Sequence, residues 1–250
     1  MRIVSLVPSL TETLVDFGLA SSVVGRTRWC TEPSGVVETI EAVGGTKNPD
    51  VARIVALAPD LVLVNKEENR LEDYRAFESA GLRVHVTDPS TVVEAAAMLE
   101  ELGEVCGVSD AGRSLAARCR EALAACDEAM AGREPVPTFC PIWRRPWMTF
   151  RRTTYIGDML VRAGCANVFG DRPGSEFFEV SLEEILAARP SLVVLPDEPY
   201  VFERKHADEL REAGLEAHFV LVDGKDLAWY GPRIPAALKR LSEQVRAAAG

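Results

Sequence analysis

Four tryptophans, Trp29, Trp143, Trp147 and Trp229, stand among arginine, glycine and proline rather than inside apolar runs. Trp29 lies in Arg26-Thr27-Arg28-Trp29-Cys30-Thr31-Glu32-Pro33, and Trp143 and Trp147 in Trp143-Arg144-Arg145-Pro146-Trp147-Met148-Thr149-Phe150. The fourth lies in Asp226-Leu227-Ala228-Trp229-Tyr230-Gly231-Pro232-Arg233. Aromatic rings are more often core than ligand box, but a tryptophan in a polar loop is poorly placed for a core and needs a partner surface. Flat rings with an edge donor suit a large planar ligand, and Arg144 and Arg233 beside them suit its carboxylate or phosphate groups. Tyr230 adds a phenol. A polar cluster, Asn65-Lys66-Glu67-Glu68-Asn69-Arg70, follows an apolar run, and Lys66 and Glu67 read either as a solvated charged face or as ligand contacts.

Catalytic chemistry finds little support. His85, His206 and His218 have no partner at metal-ligand spacing, and the six cysteines lack CxxC. Cys119 and Cys126, seven apart on a helical pattern, read as small apolar residues on one face. There is no GxGxxG, GxxxxGK[ST] or GxSxG, and nothing pairs Asp158, Glu12 or Glu176 as acid and base. No catalytic residue, no metal ligand and no catalytic cofactor is assigned.

Composition narrows the partners. Net charge is -10, and the 28 Lys+Arg are scattered rather than gathered in a stripe, which excludes nucleic acid and anionic membrane as partners and favours small ligands. No apolar run reaches the roughly 18 residues of a membrane span. Met1-Arg2 leads straight into Ile3-Val4-Ser5-Leu6-Val7, a strand rather than a signal peptide. As the sequence stands it implies a cytoplasmic monomer with reduced thiols; a removed leader would imply a periplasmic or other extracytoplasmic protein.

The elements that must carry these loops are visible as a repeat. Arg53-Ile-Val-Ala-Leu-Ala-Pro-Asp-Leu-Val-Leu-Val64 matches Glu184-Ile-Leu-Ala-Ala-Arg-Pro-Ser-Leu-Val-Val-Leu195, with Pro59 over Pro190. In both, a short helix stops before a proline and a buried strand follows. Residues 76–88 resemble 209–223, with Gly81 and Gly214 ending a helix, and 11–18 resemble 155–164. The unit is strand, helix, strand, helix, strand, twice over. That pattern predicts an α/β protein of two Rossmann-like lobes with parallel sheets, residues 1–89 and 134–250, joined by a long backbone helix over 90–133. Ser90 is the expected N-cap, Gly132 the stop, and Cys-Gly-Val-Ser-Asp at 106–110 an interruption. The helix is a strut rather than a tether. Ligands of such sheets bind beyond the strands' carboxyl ends, so a cleft between the lobes, lined by the tryptophan loops, is expected. Ser9, after the first strand, reads as a helix cap able to offer amides to an anion. The segment 139–142 reads as the strand before Trp143.

The segments Arg2-Ile-Val-Ser-Leu-Val-Pro-Ser-Leu-Thr-Glu12, Arg53–Val62 and Trp229-Tyr-Gly-Pro-Arg233 resemble the helical-backbone metal receptor superfamily, the class III periplasmic binding proteins. Within it they resemble most the cobalamin-binding proteins of ABC importers. The resemblance implies non-catalytic binding of a cobalamin-like or iron-siderophore chelate, with Trp229, Tyr230 and the loops around Trp29 and Trp143 lining the cleft. It also implies an ABC permease as partner, docked through one acidic residue per lobe. The second-lobe position is Glu183; the first-lobe position is Ala52, with Asp50 two residues away. The alternative from the residues alone is an enzyme using paired Rossmann-like lobes on a nucleotide-linked substrate.

Overall fold

A computed structural model describes residues 1–249. The chain divides into two units, the first comprising residues 1–89, 95–117 and 230–232, the second 90–94, 118–229 and 233–250.

Unit 1 begins with β1 (Ile3–Ser5), α1 (Pro8–Asp16) and β2 (Val23–Arg26). It continues with α2 (Val51–Ala56), β3 (Leu61–Asn65), α3 (Leu71–Ser79) and β4 (Val84–Thr87). All its pairings are parallel, in the order β2-β1-β3-β4. Every residue of β3 is buried, as a strand covered on both faces requires. The core gathers Val4, Leu6, Val43, Ile54, Val62, Val64 and Phe77. The helix expected to be capped by Ser9 instead starts at Pro8, whose fixed φ and missing N–H suit a first helical position. Ser9 therefore falls inside the first turn, buried, and its carbonyl accepts the Thr13 hydroxyl.

Two helices follow, α4 (Val92–Val105) and α5 (Ser109–Met130). The expected interruption is a reversal rather than a kink. In one continuous helix Gly103 and Gly112 would be about 13 Å apart. Here a Cβ on Gly103 would come within 2.8 Å of the Gly112 Cα, so the two helices cross at glycine contact after turning at Gly107 (φ +75). The long backbone helix is α5, about 33 Å from its 22 residues, and the division between units falls inside it, after Ala117. Gly132, with φ +72, follows its end. Thr91, not Ser90, caps α4: its hydroxyl accepts the Glu94 N–H at 3.1 Å, while Ser90 N–H donates to the Glu94 carboxylate.

Unit 2 repeats the plan with an insertion. Its elements are β5 (Val136–Phe139), β6 (Trp147–Phe150), α6 (Tyr155–Arg162), β7 (Cys165–Asn167), β8 (Phe177–Val180) and α7 (Leu182–Ala188). After these come β9 (Leu192–Pro196), α8 (Arg204–Glu212), β10 (His218–Val222), α9 (Gly224–Ala228) and α10 (Ile234–Ala249). The parallel sheet runs β10-β9-β5-β7, the unit 1 order with β5, β7, β9 and β10 in place of β1, β2, β3 and β4. The strand read at 139–142 ends at Phe139, and β6 pairs with β8 as an antiparallel ribbon.

The repeat extends to backbone detail. Three non-glycine residues among those described have positive φ, and two of them, Ala58 (45°) and Arg189 (47°), precede the matched prolines Pro59 and Pro190. A helical residue there would collide with the proline ring, so both helices stop by the same excursion. Both also begin with a side-chain cap: Asp50 accepts the Arg53 N–H at 2.9 Å on α2, and Ser181 forms a capping box with Glu184 on α7.

Candidate functional site

In unit 2 the loops at the strands' carboxyl ends converge on one aromatic group. Trp143, which follows β5, is 43% exposed and meets Tyr200 edge-on with centroids 5.5 Å apart. Arg144 lies over the Trp147 ring, 4.5 Å from its centroid, and forms an ion pair with Glu209. The Arg144 guanidinium beside Glu209 holds that carboxyl below its ordinary range. Trp147 departs from the loop reading: it begins β6, is 5% exposed, and stacks on Phe202 at 6.0 Å in the core. Its neighbours Arg-Arg-Pro signalled a loop, yet the β6–β8 ribbon turns the ring inward.

Trp229 follows α9 and is buried. Its indole N–H donates to Glu198 Oε2 at 3.1 Å, and Lys225 Nζ and the Arg233 guanidinium each lie 5.4 Å from its ring centroid. Arg233 is also 3.9 Å from Asp223. Burial pushes the Glu198 carboxyl above its ordinary range, against the opposing pull of Lys225 and the indole bond.

Sequence reading missed the segment that connects these rings, Asp197-Glu198-Pro199-Tyr200-Val201-Phe202-Glu203, which leaves β9. The signal in the sequence was two aromatic residues two apart, Tyr200 and Phe202, just beyond a strand; in the structure Pro199, Val201 and Glu203 are exposed, whereas Glu198 and Tyr200 are half-buried and Phe202 is buried. Such a period of two carries one set of side chains to one side.

Unit 1 carries a polar counterpart. The turn after β3 is held by its two asparagines. The Asn65 side-chain oxygen accepts the N–H groups of Glu67 (2.9 Å) and Glu68 (3.2 Å), and Asn69 accepts the Asn65 N–H (2.8 Å) while donating to the Leu6 and Thr46 carbonyls. Lys66 and Glu67 consequently face outward. Lys66 pairs with Asp88 at 2.5 Å, and the Glu67 carbonyl accepts from Lys47. Trp29 is 59% exposed, with its indole nitrogen against Gly45. Tyr230 is buried, its hydroxyl facing Thr87 and Ser9; burial, then the Glu68 charge, pushes the phenol far up, so it stays protonated. Gly231, at φ +133, is a glycine by necessity, since any side chain would strike the Thr13 hydroxyl.

Asp158 is structural: it accepts the Val92 N–H at 2.8 Å at the start of α4 and pairs with Arg162. Glu183 is exposed in the first turn of α7, where its own backbone N–H, then Ser181, hold its carboxyl below the ordinary range. Asp50 is engaged as the cap of α2 and is the counterpart of Ser181, not of Glu183. All six cysteines are buried free thiols. Among the described residues no group of three or more His, Cys, Asp or Glu side chains is placed to hold a metal, and no helix is long and apolar enough to cross a membrane.

Paired 2-1-3-4 parallel sheets, a shared backbone helix and strand-end loops rich in aromatics and cations define a two-lobed binding protein of class III. The chain belongs to the periplasmic binding protein family, whose model matches residues 3–213. Members are non-enzymatic substrate-binding proteins of ABC importers, so the nucleotide-linked enzyme alternative is set aside, and the family's function is extracytoplasmic. The vitamin B12-binding protein of Photorhabdus laumondii is 25% identical over 98% of this chain and 88% of its own. Among solved structures, the periplasmic heme-binding protein RhuT of Roseiflexus sp. RS-1 superposes with a TM-score of 0.87 at 23% identity, over 100% of this chain and 99% of that one. The periplasmic vitamin B12-binding protein BtuF of Vibrio cholerae gives 0.84 at 20% identity, over 99% and 97%. At such identities the structural likeness speaks for the fold.

Proposed function

We propose that this protein binds a cobalamin-like metal chelate, outside the cytoplasm, through the strand-end loops of its units, and passes it unchanged to an ABC permease. The observation that carries the reading is the unit 2 edge, where Trp143 is exposed and Trp229 is flanked by Lys225 and Arg233. Aromatic surface and cations together match a corrin or porphyrin plane bearing anionic side groups. The B12-binding relative, similar along 98% of the chain, favours cobalamin within that class. In unit 1, Trp29, Lys66, Glu67 and Tyr230 are the proposed contacts.

Absorbance titration of the purified protein with cyanocobalamin, hemin and a ferric siderophore tests this. Saturable binding of cobalamin at micromolar concentration or below is the expected result, and binding of none of the three overturns the proposal. For the permease, Glu183 is the proposed unit 2 docking carboxylate, and its unit 1 counterpart is absent, since Ala52 stands there and Asp50 is occupied as a cap. Charges of this kind act chiefly on steering and register. Glu183→Gln should therefore reduce co-purification with the permease while Asp50→Asn leaves it unchanged; loss with both variants would restore a two-carboxylate mode.

A further inference from the structure

Three alternate residues of one loop each touch a different tryptophan of unit 2. Glu198 accepts the Trp229 indole N–H at 3.1 Å, Tyr200 meets Trp143 edge-on at 5.5 Å, and Phe202 stacks on Trp147 at 6.0 Å with the rings 3° from parallel. The loop is fixed at both ends. At its start Asp197 accepts the Gly224 N–H at 2.7 Å, and Gly224 has no room for a side chain, since a Cβ would lie 2.5 Å from the Glu198 nitrogen. At its end His206 is buried, its Nδ1 accepts the Glu203 N–H at 2.9 Å, and its Nε2 lies 3.3 Å from the Tyr200 hydroxyl. Because Nδ1 is an acceptor, a neutral ring carries its proton on Nε2 and donates it to Tyr200.

We propose that the loop Glu198–Phe202 is the specificity-determining element of the unit 2 ligand edge, with Glu198 the positioning residue that orients Trp229 and couples it to Trp143. The inference rests on the reading of that edge as a ligand-contacting surface. Phe202 anchors the loop in the core, where a stacked aromatic pair tolerates little displacement. Glu198 and Tyr200 are therefore two outputs from one anchored segment. The indole N–H of Trp229 is a single donor in a buried setting, and losing its acceptor leaves it to rotate or to stay unpaired at a cost. Any rotation also displaces the ring against which Lys225 and Arg233 lie. Orientation of the indole thus sets where two cations meet the ligand, which makes Glu198 a determinant of which chelate fits.

The ligand-free protein tests this first. With tryptophan labelled by 15N, the four indole N–H signals are assigned by Trp→Phe replacement. Glu198→Ala should move the Trp229 signal upfield, as a bond to a carboxylate is lost, and also move that of Trp143, while Trp147 stays in place and reports an intact core. Glu198→Gln, which keeps an acceptor oxygen, should return both signals toward wild type. Tyr200→Phe keeps the ring and should move Trp143 less than Glu198→Ala does. In parallel titrations with cyanocobalamin and hemin, Glu198→Ala should weaken binding about tenfold and change the preference between the two, with recovery in Glu198→Gln. Unmoved signals, or movement of Trp229 alone, overturn the coupling. Moved signals with unchanged affinity and preference overturn the role in specificity. Failure of the wild-type protein to bind either chelate overturns the specificity role, failure to bind the ferric siderophore as well overturns the ligand reading itself, and the indole signals then still decide the coupling.

Discussion

In unit 1 the chain leaves β3 through Asn65–Asn69, and in unit 2 it leaves β9 through Asp197–Glu203, the same place in the repeat. The first turn is closed by amide side chains that spend their hydrogen bonds on backbone, which turns Lys66 and Glu67 outward. The second is closed by aromatic packing, with Phe202 in the core and Tyr200 and Glu198 reaching to tryptophans. The scaffold is shared down to Ala58 and Arg189, so the difference lies in the loops laid on it: five residues separate β3 from α3, whereas seven separate β9 from α8, and the side chains they carry differ. One sheet plan thereby supplies a polar rim in one unit and an aromatic rim in the other. Unit 2 pays for its ring cluster with added chain: the β6–β8 ribbon, which has no counterpart among the strands of unit 1 and which brings Trp147 to Phe202.

The comparison can be broken most forcefully at Phe202. Phe202→Ala removes a buried ring and should destabilise the protein by about 3–5 kcal/mol in denaturant unfolding, the usual cost of such a cavity. A loss under about 1 kcal/mol would mean that the unit 2 loop is not anchored in the core. The matching change in unit 1, Asn65→Ala, deprives the Glu67 and Glu68 N–H groups and the Thr87 carbonyl of their side-chain partner and should cost about 1–3 kcal/mol, with little effect on any aromatic signal. On the binding side, Trp229→Ala should weaken cobalamin binding by about 1–3 kcal/mol by calorimetry, the range for an aromatic anchor. Lys66→Ala is expected to do less, and equal losses would erase the distinction between the two rims.

Smaller effects sharpen the repeat itself. Asp50→Ala and Ser181→Ala remove equivalent caps and should each cost about 1 kcal/mol of thermal stability. The smallest expected effect is a pH dependence in unit 1. Burial holds His85 below the ordinary histidine range, helped by Arg83 and opposed by Glu101, 4.0 Å away. A depressed folded-state pKa means that the unfolded chain binds the proton more readily. Stability from this group is intact above the unfolded-state value of about 6.5 and is lost as pH falls through it toward the folded-state value. His85→Gln should flatten the fall in melting temperature between about pH 7 and 5; an unchanged slope would place the titration elsewhere.

Much of the fold was legible in the chain itself. The Ala-Pro and Arg-Pro stops, the Gly81 and Gly214 ends and the apolar runs Leu61–Val64 and Leu192–Leu195 act through local sterics and burial, and all recur in the structure as read. Family membership was legible for a related reason, since two of the three segments that carry it, Arg2–Glu12 and Arg53–Val62, are strands and helix ends of the scaffold, and the third, Trp229–Arg233, is a short contiguous run between α9 and α10. The site was legible only in part. Trp143 and Trp29 lie exposed at loops as their neighbours implied, but Trp147 is a core residue of β6, and Ser9 lies inside a helix that Pro8 begins.

What the residues determine alone is therefore whatever rests on neighbours within a few positions: helix stops, caps, strand burial and the order of elements. What needed the tertiary structure is whatever joins residues far apart in sequence. Gly103 and Gly112 make the interruption at 106–110 a reversal of direction, a ribbon buries Trp147 against Phe202, and Glu198 receives the indole of Trp229 thirty-one positions away. These contacts hold because packing in a dense interior depends on which surfaces meet, and no local pattern specifies its partner across the fold.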